Sequence, residues 1–331
     1  MSKLGICIIG AGQLANVHAE HWLTVPDVEL ISVADPDTDR AKQTCERHGF
    51  KSWHSDNAEA LAQPGIDAVS VAVPQSVHKE CSVAAMDKGY HVICEKPIAL
   101  TLEDAEEMIA TRDRTGVKLA IGLCKRFMGQ VLTVRDLVQS GRIGRPCVYR
   151  FVTGWERRPK LWIMDKNWGG GPVIDFCCHY FDQWRVIFGG KPVRVKAAGM
   201  TFSQGAEELP GVDPEIDTAN LTVEYETGDI GMLSVTWGLP RGVKTANQED
   251  VMGPDGVIVV DSAKKLILRT RDGEQTFEGL DADMHTRQLN AFAEAIREDK
   301  PVAASAEDAL LALRVSVAVL ESIRTGEAVS L

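Results

Sequence analysis

The chain has little that would tie it to a membrane, to nucleic acid or to a disulfide scaffold. Its apolar opening stretch, MSKLGICIIG, stops at a glycine. That is far short of the ~20 residues a membrane span needs, and no small-residue cleavage site follows. A cytoplasmic protein with no membrane partner is expected. Positive charge is in deficit: 36 Lys and Arg stand against 47 Asp and Glu, a formal net charge of −11. Nucleic acid is recognised by a clustered basic face, which is not visible here, so no nucleic-acid partner is expected. The eight cysteines (Cys7, Cys45, Cys81, Cys94, Cys124, Cys147, Cys177 and Cys178) are scattered without a CxxC pair. That spacing argues against a disulfide framework and against a structural zinc site. Apolar residues at 44% and charged residues at 25% are ordinary for a globular protein, and 331 residues suit two domains.

What is present begins with LGICII at residues 4–9, an apolar run with β-branched members, as in a strand buried on both faces of a parallel sheet. Gly10-Ala11-Gly12-Gln13-Leu14-Ala15 follows, and then a helical stretch to about Trp22. Gly10 permits a tight turn, Gly12 lets the backbone approach a diphosphate, and the small Ala15 allows close helix–strand packing. The helix start, at Gln13 and Leu14, supplies amide donors to an anion. The next strand, VELISVAD, ends in Asp35, whose carboxylate can accept bonds from the adenosine ribose hydroxyls. A carboxylate there repels a 2′-phosphate, so NAD is favoured over NADP. Arg40 either reaches a phosphate or stays solvated. Strand and helix patterns then alternate through IDAVSVAVP, HVICEKP, a helix over 101–115 and VKLAIG, the rhythm of a doubly wound α/β sheet.

Ligands in such sheets sit beyond the carboxyl ends of the strands. Two ends carry chemistry: Val73-Pro74-Gln75-Ser76-Val77-His78 and Glu95-Lys96-Pro97. His78 opens a helix and is either a cofactor contact or a structural histidine. Further on, the segment from Gly169 to Trp184 reads as one buried helix after a glycine run. Asp175, His179 and Asp182 fall at i, i+4 and i+7, hence on one stripe. Ionisable groups on an apolar helix are costly unless paired or functional. The stripe is an active-site wall, or else a structural network in which Asp182 caps a backbone group. Cys177 and Cys178 point too far apart around a helix to share an ion with it, so no metal is expected.

GAGQLANVHAEHW, ADPDTDRA, VAVPQSVH, CEKP and GGGPVIDFCCHYFD, in this order, resemble successive motifs of the Gfo/Idh/MocA oxidoreductases, among them inositol and sugar dehydrogenases. The likeness continues to the terminal segment from FAEAIREDKP to the end. The resemblance implies an N-terminal Rossmann doubly wound parallel sheet over 1–122 and, over 123–331, a C-terminal α+β domain with a large open mixed sheet. The second domain would bind substrate and build a homodimer or homotetramer. Carried over by motif, Lys96 and His179 are the catalytic pair and Asp175 orients the substrate. Gly10, Gly12, Gln13, Leu14, Asp35, Arg40, Val73, Pro74, His78, Glu95 and Lys96 would contact NAD, and Pro97 would follow a cis bond. Ala15 in the third glycine slot, Cys177-Cys178, and IGLCKRF in place of an asparagine-containing segment depart from the family pattern. No role therefore transfers to Cys124 or Lys125, while Arg126 stays a candidate.

For alcohol oxidation an imidazole, with an ordinary pKa of about 6.5, can accept the hydroxyl proton while an ammonium stabilises charge on the same oxygen. The substrate is expected to be a carbohydrate-like polyol, contacted by Lys96, Arg126, Trp155, Trp162, Asp175 and His179. The tryptophans of 151–168, Trp168 among them, would face a sugar ring or pack the interior. Arg157, Arg158, Lys160 and Lys166 would tolerate an acidic substrate or lie solvated. Two other functions fit the same motifs: an NAD-dependent glycoside hydrolase and a non-catalytic ligand-sensing regulator.

Overall fold

The computed structural model describes residues 3–157, 160–243 and 245–331. Arg158 lies outside the described residues. The chain divides into two compact units, Met1–Cys124 with Asp283–Leu310, and Lys125–Ala282 with Leu311–Leu331. A single cut at 122/123 does not express the return of 283–310 to the first unit.

The first unit runs β1 (Leu4–Ile9), α1 (Gln13–Trp22), β2 (Val28–Ala34), α2 (Thr38–His48), β3 (Ser52–His54), α3 (Asn57–Ala60), β4 (Ala68–Val71), α4 (His78–Asp87), β5 (His91–Cys94), α5 (Leu102–Thr115) and β6 (Leu119–Ile121). Its six strands are all parallel, in the order β3-β2-β1-β4-β5-β6. This is the doubly wound order, with its switch point between β1 and β4. Every residue of β1 is buried, as helices on both faces require. α1 buries Ala15, His18, Ala19 and Trp22, at i, i+3, i+4 and i+7. Asp37 and Thr101 cap α2 and α5, and left-handed Gly49 and Gly116 end them.

The second unit continues with α6 (Gly129–Gln139), β7 (Val148–Glu156), α7 (Gly171–Asp175), α8 (Cys178–Phe188), β8 (Pro192–Met200), β9 (Thr218–Tyr225), β10 (Ile230–Leu239), β11 (Gln248–Gly253), β12 (Gly256–Ser262), β13 (Lys265–Thr270) and β14 (Gly273–Glu278). The chain then returns to the first unit as α9 (Met284–Arg297). There Phe292 packs 6.4 Å from the Trp22 ring of α1. It ends with α10 (Ala306–Thr325) and β15 (Val329–Ser330). The nine strands of the second sheet lie in the order β14-β13-β12-β11-β7-β10-β9-β8-β15. β7 and β10 are parallel and every other pair is antiparallel, so the sheet is open and mixed.

Period-two alternation turns Tyr149, Phe151, Leu221, Val223, Leu233 and Val235 into the core. α8 covers this face: Tyr180 stacks on Phe151 at 4.4 Å and Trp184 lies 5.9 Å from Tyr149. The other face exposes apolar surface, with Val152 at 46% and Met232 at 40%. Among the described residues no helix is long and apolar enough to cross a membrane.

The edge of this core is tied by one carboxylate. Asp229 is fully buried and accepts from the Cys147 amide at 2.8 Å, from the Thr227 hydroxyl at 2.6 Å and from the Arg145 guanidinium. Burial pushes its carboxyl up, but these donors together outweigh burial and hold it below the usual aspartate range. Asp229→Asn is expected to cost about 2 kcal/mol at neutral pH. The folded value lies below the unfolded one (about 3.9), so the contribution is complete above about pH 4 and fades as pH falls further. Urea midpoints of the two proteins should therefore converge only below that pH.

Candidate active site

The carboxyl ends of β1 and β2 build a cradle. The Gly10 amide donates to the Ala34 carbonyl at 2.7 Å. Gly10 has φ +102°, and a Cβ there would lie 2.4 Å from the Ala72 carbonyl oxygen. Only glycine fits this crossing. Asn16 holds the turn from α1, its Nδ2 donating to the carbonyls of Ala11 and Gly12 at 3.2 and 2.9 Å. At Gly12 a Cβ would meet open space, and no side chain caps the first turn of α1 there. Uncapped amides beside open room fit a dinucleotide diphosphate, with Gln13 exposed and Leu14 partly exposed at the rim. Asp35 aims back at this turn: Oδ2 accepts from the Ala11 amide at 2.9 Å and Oδ1 from the Asp37 amide at 3.0 Å. Arg40 is half exposed and sits 3.3 Å from both Asp35 and Asp37, so its charge is already compensated.

The ends of β4 and β5 carry the second group. Val73 and Pro74 are partly exposed. His78 is buried, with Nδ1 at 2.8 Å from the Pro97 carbonyl oxygen and Nε2 at 3.0 Å from that of Val73. The ring thus ties the two strand ends together, and burial pushes its pKa down. Lys96 is partly exposed and the Lys96–Pro97 bond is cis, as expected. Glu95 is buried and bonded to His18 of α1 at 2.8 Å. Sequence reasoning missed His18 and Asn16. The available signal was a histidine on the apolar face of α1.

In the second unit the expected single helix is two, and this corrects the stripe. The Pro172 carbonyl accepts both the Phe176 and Cys177 amides, at 3.0 and 2.9 Å, and the His179 amide then bonds only three residues back, to Phe176 at 3.2 Å. A widened turn followed by a tight one separates α7 from α8, so Asp175 ends one helix and His179 lies in the first turn of the next. Both are buried, at 8% and 7% exposure. Asp182 pairs with the buried Arg126, whose Nε lies 3.0 Å from Oδ2 and whose Nη2 reaches Oδ1. Arg126, a substrate candidate, is thereby held on Asp182. Lys125 places its ammonium 5.0 Å from the Phe176 ring and 4.8 Å from that of Tyr180. Burial drives the Cys177 thiol well above its ordinary pKa, which leaves it unreactive. Among the described residues no three His, Cys, Asp or Glu side chains are grouped to hold a metal ion.

Trp155 is partly buried; its indole donates to Thr153 at 2.6 Å and its ring lies 6.1 Å from Phe176. Trp162 sits in a short 3₁₀ turn, Leu161–Ile163, and Trp168 is 54% exposed. Of the basic residues here, Arg157 pairs with Glu208 at 2.7 Å and Lys166 with Asp213 at 2.5 Å.

The fold and the cradle define a dinucleotide-binding oxidoreductase. Residues 4–123 match the oxidoreductase family with an NAD-binding Rossmann fold, and residues 131–259 match the GFO/IDH/MocA C-terminal domain. The chain belongs to this Gfo/Idh/MocA family. It is 28% identical to the scyllo-inositol 2-dehydrogenase (NAD(+)) of Bacillus subtilis, over 98% of this chain and 95% of that one. It is equally 28% identical to the myo-inositol 2-dehydrogenase of Thermotoga maritima, over 98% of each. The crystal structure of a probable dehydrogenase from Thermotoga maritima superposes with a TM-score of 0.83 at 27% identity, covering 99% of this chain and 98% of that one.

Asp182→Asn would remove the carboxylate charge that both Nε and Nη2 of the buried Arg126 meet. A loss of about 3 to 5 kcal/mol is expected, read from urea unfolding at neutral pH.

Proposed function

We propose that the chain oxidises a hydroxyl of a neutral ring polyol or sugar with NAD, and that Lys96 and His179 handle the proton. What supports this reading is Lys96 at a cis-proline strand end of the first unit and, in the second unit, the buried Asp175 and His179 on either side of a helix break. Two relatives matched over almost their whole length bear the names of inositol dehydrogenases. Pairing of Arg157 and Lys166 with carboxylates favours a neutral substrate over an acidic one.

Gly10, Gly12 and the amides of Gln13 and Leu14 would hold the diphosphate, and Asp35 the adenosine ribose. Val73, Pro74 and Lys96 would hold the remainder. The Asp35 carboxylate, with Arg40 already compensated, disfavours a 2′-phosphate and so NADP. NAD, when bound, supplies the hydride acceptor. His179 takes the proton of the reacting hydroxyl. The Lys96 ammonium donates to the same oxygen and stabilises its charge as the C–H bond breaks. Asp175 accepts from a neighbouring hydroxyl and fixes the ring. Trp155, Trp162 and Arg126 shape the pocket wall.

The uncovered face of the nine-stranded sheet supports a homodimer or homotetramer. It carries a depression of about 350 Å³ lined by Arg150, Val152, Lys196, Asn220, Thr222 and Met232. A cytoplasmic location accords with eight free cysteines, all buried.

Lys96→Met and His179→Ala are each expected to lower kcat by about 10² to 10⁴-fold, far more than either lowers NAD affinity. A panel of cyclitols and sugars with NAD, followed by the absorbance of reduced nicotinamide, measures both. Wild-type kcat in either variant removes that residue from the mechanism. Met232→Asp should shift the light-scattering mass of the protein toward that of a monomer.

A further inference from the structure

Glu95 holds a buried charge that the mechanism above does not use. The residue is locked into the sheet: its amide donates to the Val71 carbonyl at 2.9 Å, and the Gly122 amide donates to the preceding Cys94 carbonyl at 2.7 Å. Both carboxylate oxygens are engaged. Oε1 accepts from His18 Nε2 at 2.8 Å, and Oε2 accepts from the Lys96 amide at 3.2 Å. The two side chains are nearly sealed, with His18 at 1% and Glu95 at 3% exposure. Among the described residues His18 Nδ1 has no hydrogen-bond partner. The proton therefore belongs on Nε2, because a second one on Nδ1 would be a buried donor without an acceptor. Gly122 makes the room, since a Cβ there would stand 2.7 to 2.8 Å from the carboxylate atoms.

An apolar pair of equal volume would hold α1 to the sheet at least as well as a buried carboxylate and imidazole. What it would lack is a fixed negative charge bonded to the main chain of Lys96. Burial alone would raise the Glu95 carboxyl, but the His18 hydrogen bond, with the charge of Lys96, outweighs it and holds the group ionised. The coupling is mutual: a lysine that favours the carboxylate is favoured by it in return. The other titratable groups that act on this site, His78 of α4 and His285 of α9, have pKa values pushed down by burial, which disfavours their charged forms.

We infer that Glu95, oriented by His18, is a positioning residue that fixes Lys96 at the strand end and keeps its ammonium charged, acting through the lysine rather than on the cofactor. The inference rests on the role proposed for Lys96, but one of its tests does not. Competitive amine labelling of the holoenzyme across pH, with the Lys96 peptide read by mass spectrometry, gives the titration of Lys96 without turnover. In Glu95→Gln the midpoint should fall by about one unit. The alkaline limb of kcat should fall with it, and kcat should drop about tenfold while NAD affinity stays within about threefold. Glu95→Asp should recover most of the titration shift. Gly122→Ala presses on the carboxylate without removing it and should move the midpoint the same way; it keeps the test open should the Gln variant not fold. An unchanged Lys96 midpoint in Glu95→Gln or, if that variant does not fold, in Gly122→Ala overturns the inference, even where Lys96→Met is inactive. A shifted midpoint together with a fully active Lys96→Met leaves the positioning intact and overturns only the catalytic role.

Discussion

The crossing at Gly10 constrains the whole first unit. β1 is buried between β2 and β4, and the chain must leave its carboxyl end beneath the Ala72 carbonyl, where no side chain fits. That one close approach aims the amides of α1 outward and places the Asp35 carboxylate against the Ala11 amide. The ends of β4 and β5 fall on the same side of the sheet because all six strands are parallel. Lys96 is delivered to that side by backbone geometry before any side-chain interaction contributes.

Buried charge ties distant parts of the chain together. Asp229 with Arg145 and Asp182 with Arg126 are ion pairs tied into the second unit, and each carboxylate meets its donors within the protein. The His78 ring lies between two strand-end carbonyls. Asp175 and His179 belong to neither arrangement. They stand at a break between two helices, where widening around the Pro172 carbonyl turns the chain. An interrupted helix changes the direction of its side chains more sharply than a continuous one would allow.

Much of this was legible in the residues. The strand–glycine–helix start, the acidic end of β2, the alternating rhythm and the EKP strand end depend on local pattern, and local pattern is what periodicity reports. The helix break was hidden because Pro172 through Trp184 keeps one helical period, with a polar stripe on an otherwise apolar surface, and period alone cannot reveal one carbonyl shared by two amides. The partners were hidden for another reason. Arg126 and Asp182, Arg157 and Glu208, and His18 and Glu95 are far apart in sequence, and nothing in a side chain's identity states which distant charge it will meet.

Sequence alone therefore determined the class of fold, the dinucleotide cradle and the residue types at the reacting end, because these follow from steric limits on glycine and from hydrophobic period. Tertiary structure alone decided which charge meets which counter-charge. It did so through long-range packing that sets burial, since in a low-dielectric interior the nearest counter-charge outweighs any intrinsic property of the group.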